Sequence, residues 1–291
     1  MKTFATAPRP EARREKACAL CGGATFRPLW NCGSFSFVRC ASCGLIQQNP
    51  QPEEGAVLER YDRSYLDYEA ERQFDYAELE RRALDDLRLE EATQGLRGLA
   101  QARGRLPRVL DVGCATGALL AGFKASGWDC LGVEPCAPAA AYGAERFGLD
   151  IRPSTLAKAG LEAGSVDLFH ASHLIEHLND PGAFLDEARR LLAPNGLLAL
   201  TTPNADGFQA RLLGSAWRSA IYDHLYLFSV KSLERLLEVH GFRVLRLVTW
   251  GGWAAGLRPR FLKRPLDRAA KRCGFGDVVA LLASPQGSRV I

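Results

Sequence analysis

The stretch Val109-Leu110-Asp111-Val112-Gly113-Cys114-Ala115-Thr116-Gly117 decides the fold. An apolar run passes at once into small residues, which reads as a strand, a tight turn and the start of a helix. Small residues at such a turn let the backbone approach a ligand closely. The spacing Gly113-x-Ala115-x-Gly117 departs from the G-x-G-x-x-G of dinucleotide turns, and no G-x-x-x-x-G-K-[ST] phosphate loop occurs. Glu134 closes the next apolar run. A carboxylate at that point can accept hydrogen bonds from both hydroxyls of a ribose.

Downstream of this turn, short apolar runs alternate with helical patterns, which predicts βαβ units and an α/β fold around a doubly wound, mostly parallel seven-stranded sheet. Strands are predicted at Arg108–Val112, Cys130–Glu134, Leu149–Arg152, Val166–His170, Leu197–Thr201, Arg243–Thr249 and Val278–Ala283. Helices fit between them at Ala118–Ser126, Pro138–Phe147, Pro181–Leu192 and Lys231–His240. The last two strands flank the excursion Gly251–Gly276, so they are expected to close the sheet as an antiparallel pair. That excursion carries a basic amphipathic pattern around Pro265–Cys273.

Upstream, residues 53 to 100 are dense in Glu, Arg, Leu and Tyr at helical spacing, as in Leu79, Ala83 and Leu87. Before them, Cys18-x-x-Cys21 and Cys40-x-x-Cys43 form two knuckles, each followed by a glycine, Gly22 or Gly44. Tetrahedral zinc takes four thiolates in a closed shell, and two short turns each delivering two of them supply it. The pattern predicts a structural zinc on Cys18, Cys21, Cys40 and Cys43, with no open position for chemistry. The intervening segment is long enough for a small hairpin, and Cys32 is left as a spare thiol. The organisation expected is a tail at 1–16, a zinc ribbon at 17–50, a helical cover at 51–104 and the ligand-binding α/β domain at 105–291.

The 291 residues are 47% hydrophobic and 24% charged, as in an ordinary globular chain. This composition excludes a disordered tail protein, a collagen-like fibre and a coiled-coil rod. No apolar stretch approaches the roughly 20 residues of a membrane-spanning helix, and residues 1–16 lack the apolar core of a secretory signal. The expected compartment is the cytoplasm, where nine cysteines point to metal or reduced thiols rather than disulfides. A net charge of +4 does not call for nucleic acid, and DNA is not expected as a partner. From Arg243 onward, ten Lys and Arg face only Asp267 and Asp277. A solvated face accounts for this segment more simply than contact with RNA or with a membrane surface.

Taken together, Asp111-Val-Gly-Cys-Ala-Thr-Gly117, Gly132-Val-Glu-Pro135, Ser165-Val-Asp-Leu168, His173-Leu-Ile-Glu-His-Leu178 and Thr202-Pro-Asn204 resemble the class I S-adenosylmethionine-dependent methyltransferases. The likeness runs from about Arg108 to the end of the chain. With the cysteine ribbon, Asn49-Pro50 and the Tyr-rich segment 61–76, the whole resembles a bacterial small-molecule subgroup that carries an added zinc ribbon. The resemblance implies a Rossmann-like fold and S-adenosylmethionine as cofactor. It implies that Asp111, Gly113, Ala115 and Gly117 surround the methionine moiety and that Glu134 holds the ribose. Thr155 and Leu156 would flank the adenine, and His170 and Ala171 would lie beside the cofactor. Ala115 stands where the family has a middle glycine. The acid that often reads the adenine amino group is absent near Ser154–Leu156, which leaves a backbone contact to serve.

His173-x-x-Glu176-His177 permits three readings. The inverted zinc-protease pattern belongs inside a long helix, whereas this segment follows a strand and precedes Asn179-Asp180-Pro181. The segment also resembles the Glu-x-x-Glu-His loop of ubiquinone-pathway O-methyltransferases, which hold a divalent ion there. His173 replaces their first Glu, and the loss of a hard oxygen ligand disfavours magnesium. The third reading has Glu176 and His177 anchoring the loop by hydrogen bonds.

Methyl transfer to a hydroxyl needs alignment, exclusion of water and removal of a proton, and histidine suits the last near neutral pH. His173 is the leading base candidate. His170 and His224 are the other candidates, and His224, in the aromatic stretch Trp217–Tyr226 after the fifth strand, has packing of a lid as its alternative. Tyr65 and Tyr76 are weaker candidates on the cover segment, where aromatics at helical spacing also serve as core. The acceptor expected is a small molecule bearing a hydroxyl, such as a sugar, phenolic or polyketide-like compound. RNA methylation, and a non-catalytic ribbon that recruits a partner, are the competing functions.

Overall fold

The computed structural model describes residues 11–251 and 274–288. The basic pattern at Pro265–Cys273 therefore lies outside the described residues.

The described residues open with β1 (Arg13–Arg14), β2 (Phe26–Asn31), β3 (Ser36–Cys40), β4 (Ile46–Gln48) and β5 (Gln51–Pro52). Three helices follow, α1 (Glu54–Leu58), α2 (Arg63–Asp86) and α3 (Leu89–Ala102). The Asp62 side chain caps α2 by accepting from the Ser64 amide at 2.9 Å. The alternating part comprises β6 (Arg108–Val112), α4 (Ala118–Ala125), β7 (Asp129–Val133), α5 (Ala137–Phe147), β8 (Asp150–Arg152), β9 (Val166–Ser172), α6 (Pro181–Leu191) and β10 (Leu192–Pro203). It ends with α7 (Phe208–Leu213), β11 (Tyr226–Leu227), α8 (Val230–Val239), β12 (Phe242–Trp250) and β13 (Val278–Pro285).

Seven strands form one sheet in the order β12-β13-β10-β9-β6-β7-β8. Strands β10, β9, β6, β7 and β8 run parallel, and β13 pairs antiparallel with both β10 and β12. The expected doubly wound sheet and its antiparallel closing pair are both present. Both faces are covered, as a largely parallel sheet requires. Alternate residues of one strand serve opposite faces: Leu110 joins a core with Phe184 and Leu185 of α6 and Leu233 and Leu236 of α8. Its neighbour Val109 joins Ala83 and Leu84 of α2, Leu96 of α3 and Leu120 of α4. The C-terminal half of α2 is thus a layer of the core, while its N-terminal half projects beyond the carboxyl ends of the strands.

Strand order reverses between β6 and β9, and in open α/β sheets ligands bind at that switch point, outside the carboxyl ends. Two close approaches shape the turn there. Gly117 has φ +74°, and a Cβ on it would lie 2.7 Å from Leu149 Cδ1. A Cβ on Gly143 of α5 would lie 2.6 Å from the Thr116 carbonyl oxygen. Both glycines let α4 and α5 sit directly against the turn.

A second sheet has the order β11-β4-β3-β2. The β2–β3 hairpin expected between the cysteine knuckles is present. Strand β11, far along the chain, completes that sheet by pairing Tyr226 with Gln47 and Leu227 with Ile46. Among the described residues, no helix is long and apolar enough to cross a membrane.

Candidate active site

A cavity of about 840 Å3 opens at the switch point. Its floor is the turn after β6, its sides are the ends of β7, β8, β9 and β10, and α2 forms its roof. Of the cofactor residues expected from sequence, Asp111, Gly113, Ala115, Glu134, Thr155, Leu156 and His170 line it. Gly117 and Ala171 do not. Gly117 is the packing point described above, and Ala171 is buried in the core beneath the site.

Glu134 is fully buried. Its carboxylate accepts from the backbone N–H of Ala115 at 2.9 Å and of Cys136 at 2.8 Å. Burial pushes its carboxyl up to about 7 against those two donors. Each oxygen keeps lone-pair capacity toward the cavity. Ala115 adopts φ +48°, a left-handed conformation that an L residue reaches at a cost of about 1–2 kcal/mol. Around the far end of the cavity, the hydroxyl of Ser154 and the Oε1 of Gln73 are buried with no hydrogen-bond partner. Both residues line the cavity. Unsatisfied buried polar atoms are rare in proteins, so these two fit a polar ligand such as a nucleoside. The sequence left only a backbone contact here; the Ser154 hydroxyl is an added group.

His170 is pinned between two carboxylates. Its Nδ1 lies 2.7 Å from Asp111 Oδ1 and its Nε2 lies 3.3 Å from Glu80 Oε1. Glu80 also accepts from the hydroxyls of Ser172 and Thr201, each at 2.7 Å. Burial opposes the charge on His170, but Asp111 and then Glu80 overcome it and hold the ring up at about 10. The ring is therefore an imidazolium at neutral pH. Its nitrogens are both occupied, so it orders the site and joins α2 to the strand ends. Sequence reasoning missed Glu80, which carries only the generic signal of an acidic residue in an acid-rich helix.

His173 follows β9 with φ +50°. Its amide donates to the Thr201 carbonyl at 2.8 Å, and its Nδ1 lies 3.2 Å from Glu176 Oε1. Glu176 is wholly buried and its other oxygen accepts from the Thr202 hydroxyl at 2.9 Å. Burial works against charge on His173, and the Glu176 hydrogen bond outweighs it and raises the ring above its ordinary value. The ring is about half exposed, toward the cavity, which leaves Nε2 available.

His177 and His224 meet edge to face at 4.6 Å. Each fixes its Nδ1 on a backbone carbonyl, His177 on Asp223 at 2.9 Å and His224 on Ser219 at 2.8 Å. Burial, then the neighbouring His177, lowers His224 to about 3. The ring stays neutral and is a poor proton acceptor. Glu176 and His177 do anchor the loop, as the hydrogen-bonding reading expects. Ligand atoms of Glu176, His177 and His224 also lie within 4.8 Å of one another, as do those of the four ribbon cysteines. The segment Ile175–His177 is one 3-10 turn, not part of a long helix, which removes the protease reading.

In the ribbon, Cys18 Sγ lies 3.4 Å from Cys43 Sγ and Cys21 Sγ lies 3.6 Å from Cys40 Sγ. Tetrahedral bonds of about 2.3 Å to zinc place sulfurs about 3.8 Å apart, so the cluster is compatible with a zinc site. A Cβ on Gly23 would come within 3.3 Å of Cys21 Sγ. Tyr61, Tyr65, Tyr68 and Tyr76 line the roof of the cavity, with the Tyr68 and Tyr76 hydroxyls 2.9 Å apart.

The strand order, the switch-point cavity and the acidic residue ending β7 define a class I methyltransferase of Rossmann-like fold. Residues 76–247, more than half of the chain, match the family model described as a methyltransferase domain, and the chain belongs to that family. It is 34% identical over 102 residues to a ubiquinone biosynthesis O-methyltransferase of Nitrobacter winogradskyi, covering 33% of this chain and 39% of the relative. With the enzyme of the same name from a Caulobacter species, identity is 37% over 112 residues, covering 35% and 44%. The chain thus spans less than half the length of these curated relatives. An S-adenosylmethionine-dependent methyltransferase structure from Clostridium acetobutylicum aligns with TM-score 0.50 and 11% identity, covering 71% of this chain and 92% of that one, which shows a shared fold.

Proposed function

We propose that this protein moves a methyl group from S-adenosylmethionine to a hydroxyl of a small-molecule acceptor, with His173 as the general base. The observation that carries this reading is the Glu176–His173 pair, facing a cavity that is also lined by Glu134 and by Gly113 and Ala115 of the turn after β6. When bound, the cofactor supplies an electrophilic methyl on a sulfonium. The chain's own residues then have separate tasks. Glu134 accepts the ribose hydroxyls, and Asp111, Gly113 and Ala115 form the bed of the methionine portion. Thr155, Leu156 and Ser154 border the adenine. Glu176 accepts a hydrogen bond from the Nδ1–H of His173, which turns Nε2 toward the acceptor hydroxyl and stabilises the imidazolium formed when Nε2 takes up the hydroxyl's proton. The aromatic roof excludes water from the displacement.

Between the base candidates His173 and His224, His173 has the better position and basicity; buried His224 holds its loop. The relatives named for ubiquinone biosynthesis favour an O-directed reaction on a phenolic acceptor over a sugar or polyketide-like one. The four cysteines would hold a structural zinc that takes no part in the chemistry.

Calorimetric titration of zinc-replete protein with S-adenosylmethionine and S-adenosylhomocysteine tests this. Micromolar binding is expected. Removing the carboxylate in Glu134→Ala should weaken it at least tenfold, since hydrogen bonds to charged groups are worth about 1.5–3 kcal/mol. No binding of either ligand to folded wild type would move the protein to a ribbon-based interaction module.

A further inference from the structure

We propose that the cysteine ribbon braces, from behind, the loop 217–228 that lines the acceptor site, and that Gln48 is the positioning residue that fixes this loop. The proposal rests on the acceptor site named above for the meaning of that brace, but the contacts stand independently of it.

The loop 217–228 has little regular structure. Its one regular element is β11, and Ser219, Ile221, Asp223 and His224 line the cavity. A segment of this kind needs partners for its backbone carbonyls. The ribbon provides them. The Gln48 side-chain amide donates to the carbonyls of Tyr222 at 2.9 Å and His224 at 2.6 Å. The Gln48 backbone N–H donates to the Leu225 carbonyl at 2.8 Å. Gln48 is wholly buried, so water cannot replace these bonds. Two residues on, the strand pairing of β11 with β4 carries the loop into the ribbon sheet. Apolar contacts run beside the polar ones. Trp217 is buried with its ring 6.4 Å from Trp30 of β2, and Phe35 meets Tyr222 at 5.7 Å.

From the loop, the connection reaches the chemistry in one step. The Leu225 amide donates to the Glu176 carbonyl at 2.8 Å, and Glu176 is the residue paired with His173. The neighbouring residue of β4 points the other way, as strand alternation demands. Gln47 donates to the carbonyls of Lys16 and Ala17 and accepts from the Ala19 amide, so it serves the first cysteine knuckle. Consecutive glutamines on one strand therefore link the metal-binding knuckle on one face to the His224 loop on the other. Among the described residues, no hydrogen bond runs from the ribbon to the turn at Gly113–Gly117. A recruiting module tethered beside the enzyme would need none of these bonds.

Hydrogen–deuterium exchange on the full chain tests this, with zinc-loaded wild type compared with protein stripped by a chelator and with Gln48→Met, which keeps the side-chain length and removes the donors. Both changes should speed exchange of the His224, Leu225 and Tyr226 amides by about tenfold or more, as expected for losing buried hydrogen bonds. The Gly113 and Ala115 amides at the cofactor turn should stay protected. S-adenosylhomocysteine affinity, measured by calorimetry on the same samples, should stay within about twofold. If chelation frees the Gly22 and Gly44 amides of the knuckles while residues 217–228 keep their protection, the ribbon is an independent module and the proposal fails. Should Gln48→Met not fold, the chelation arm decides alone. A wild type that binds no S-adenosylhomocysteine would overturn the methyltransferase reading and leave the exchange result intact.

Discussion

The base role proposed for His173 depends on what holds it. Its backbone sits in the left-handed region, fixed by the Thr201 carbonyl, and its ring is turned by Glu176. The pair predicts a specific pH profile. The ring must be neutral to take a proton, and Glu176 raises its pKa above the ordinary 6.5. With an acceptor found by screening, kcat/KM should therefore rise with pH through a value above 6.5. His173→Ala should lower kcat by about 100- to 10,000-fold, the usual worth of a general base, with S-adenosylhomocysteine affinity unchanged. Glu176→Gln should move the limb to lower pH. A limb that stays put would show that Glu176 does not orient the base. Ala115 offers a second test at this scale. Its φ of +48° costs an L residue about 1–2 kcal/mol, and glycine returns about 0.4–1 kcal/mol of that through unfolded-chain entropy. Ala115→Gly should stabilise the fold by up to about 1 kcal/mol in denaturant unfolding.

At the scale of elements, α2 is the one whose role the sequence conveyed least. Its apolar spacing was legible: Ala83 and Leu87 are buried as expected, although Leu79 is exposed. Its functional residue, Glu80, looks in sequence like any helix-surface acid. Only folding brings it to His170, ninety residues away. The charge pattern of carboxylate, imidazolium and carboxylate locks the helix onto the strand ends. The group's pKa is raised from 6.5 unfolded to about 10 folded. Its contribution to stability is therefore complete below pH 6.5 and is lost as pH rises through about 10. Thermal midpoints should fall across that window. Glu80→Gln leaves a buried charge with one partner fewer and should cost about 3 kcal/mol, with a shallower decline above pH 6.5. An unchanged slope would mean that Glu80 does not set the charge of His170. The strands, by contrast, were readable to within a few residues, because buried parallel strands are short apolar runs bounded by turn residues. The largest difference is β10, which extends from Leu192 to Pro203 where Leu197–Thr201 was expected. The bulge between Leu192 and Leu197 lets Pro194 and Gly196 sit in a strand pattern that otherwise excludes them.

For the whole molecule, the ribbon and the sheet domain share β11 and the buried contacts around it, so they should unfold together. Zinc-loaded protein is expected to melt in one transition. A ligand that binds only the folded state adds about 2.7 kcal/mol at a hundredfold excess over its Kd, and about 2–4 °C accompanies each kcal/mol in a chain of this class. Saturating S-adenosylhomocysteine should thus raise the single midpoint by roughly 5 °C or more in scanning calorimetry. Two separate transitions, only one of them shifted, would show the two parts to be energetically independent.

The sequence alone determined the class of fold, the small-residue turn after the first sheet strand, the place of Glu134 just after the second and the four-cysteine cluster. Each of these is written in residues close together in the chain, where spacing, strand periodicity and turn chemistry act. The tertiary structure decided which expected residues line the cavity. It placed Gly117 and Ala171 in packing roles, added Ser154 and Glu80, and separated an oriented His173 from a buried, weakly basic His224. It also joined the ribbon to the active-site loop through Gln48 and His224, 176 residues apart. Those outcomes depend on contacts between distant segments, and a side chain's pKa, burial and partners are properties of what surrounds it in space rather than of its neighbours along the chain.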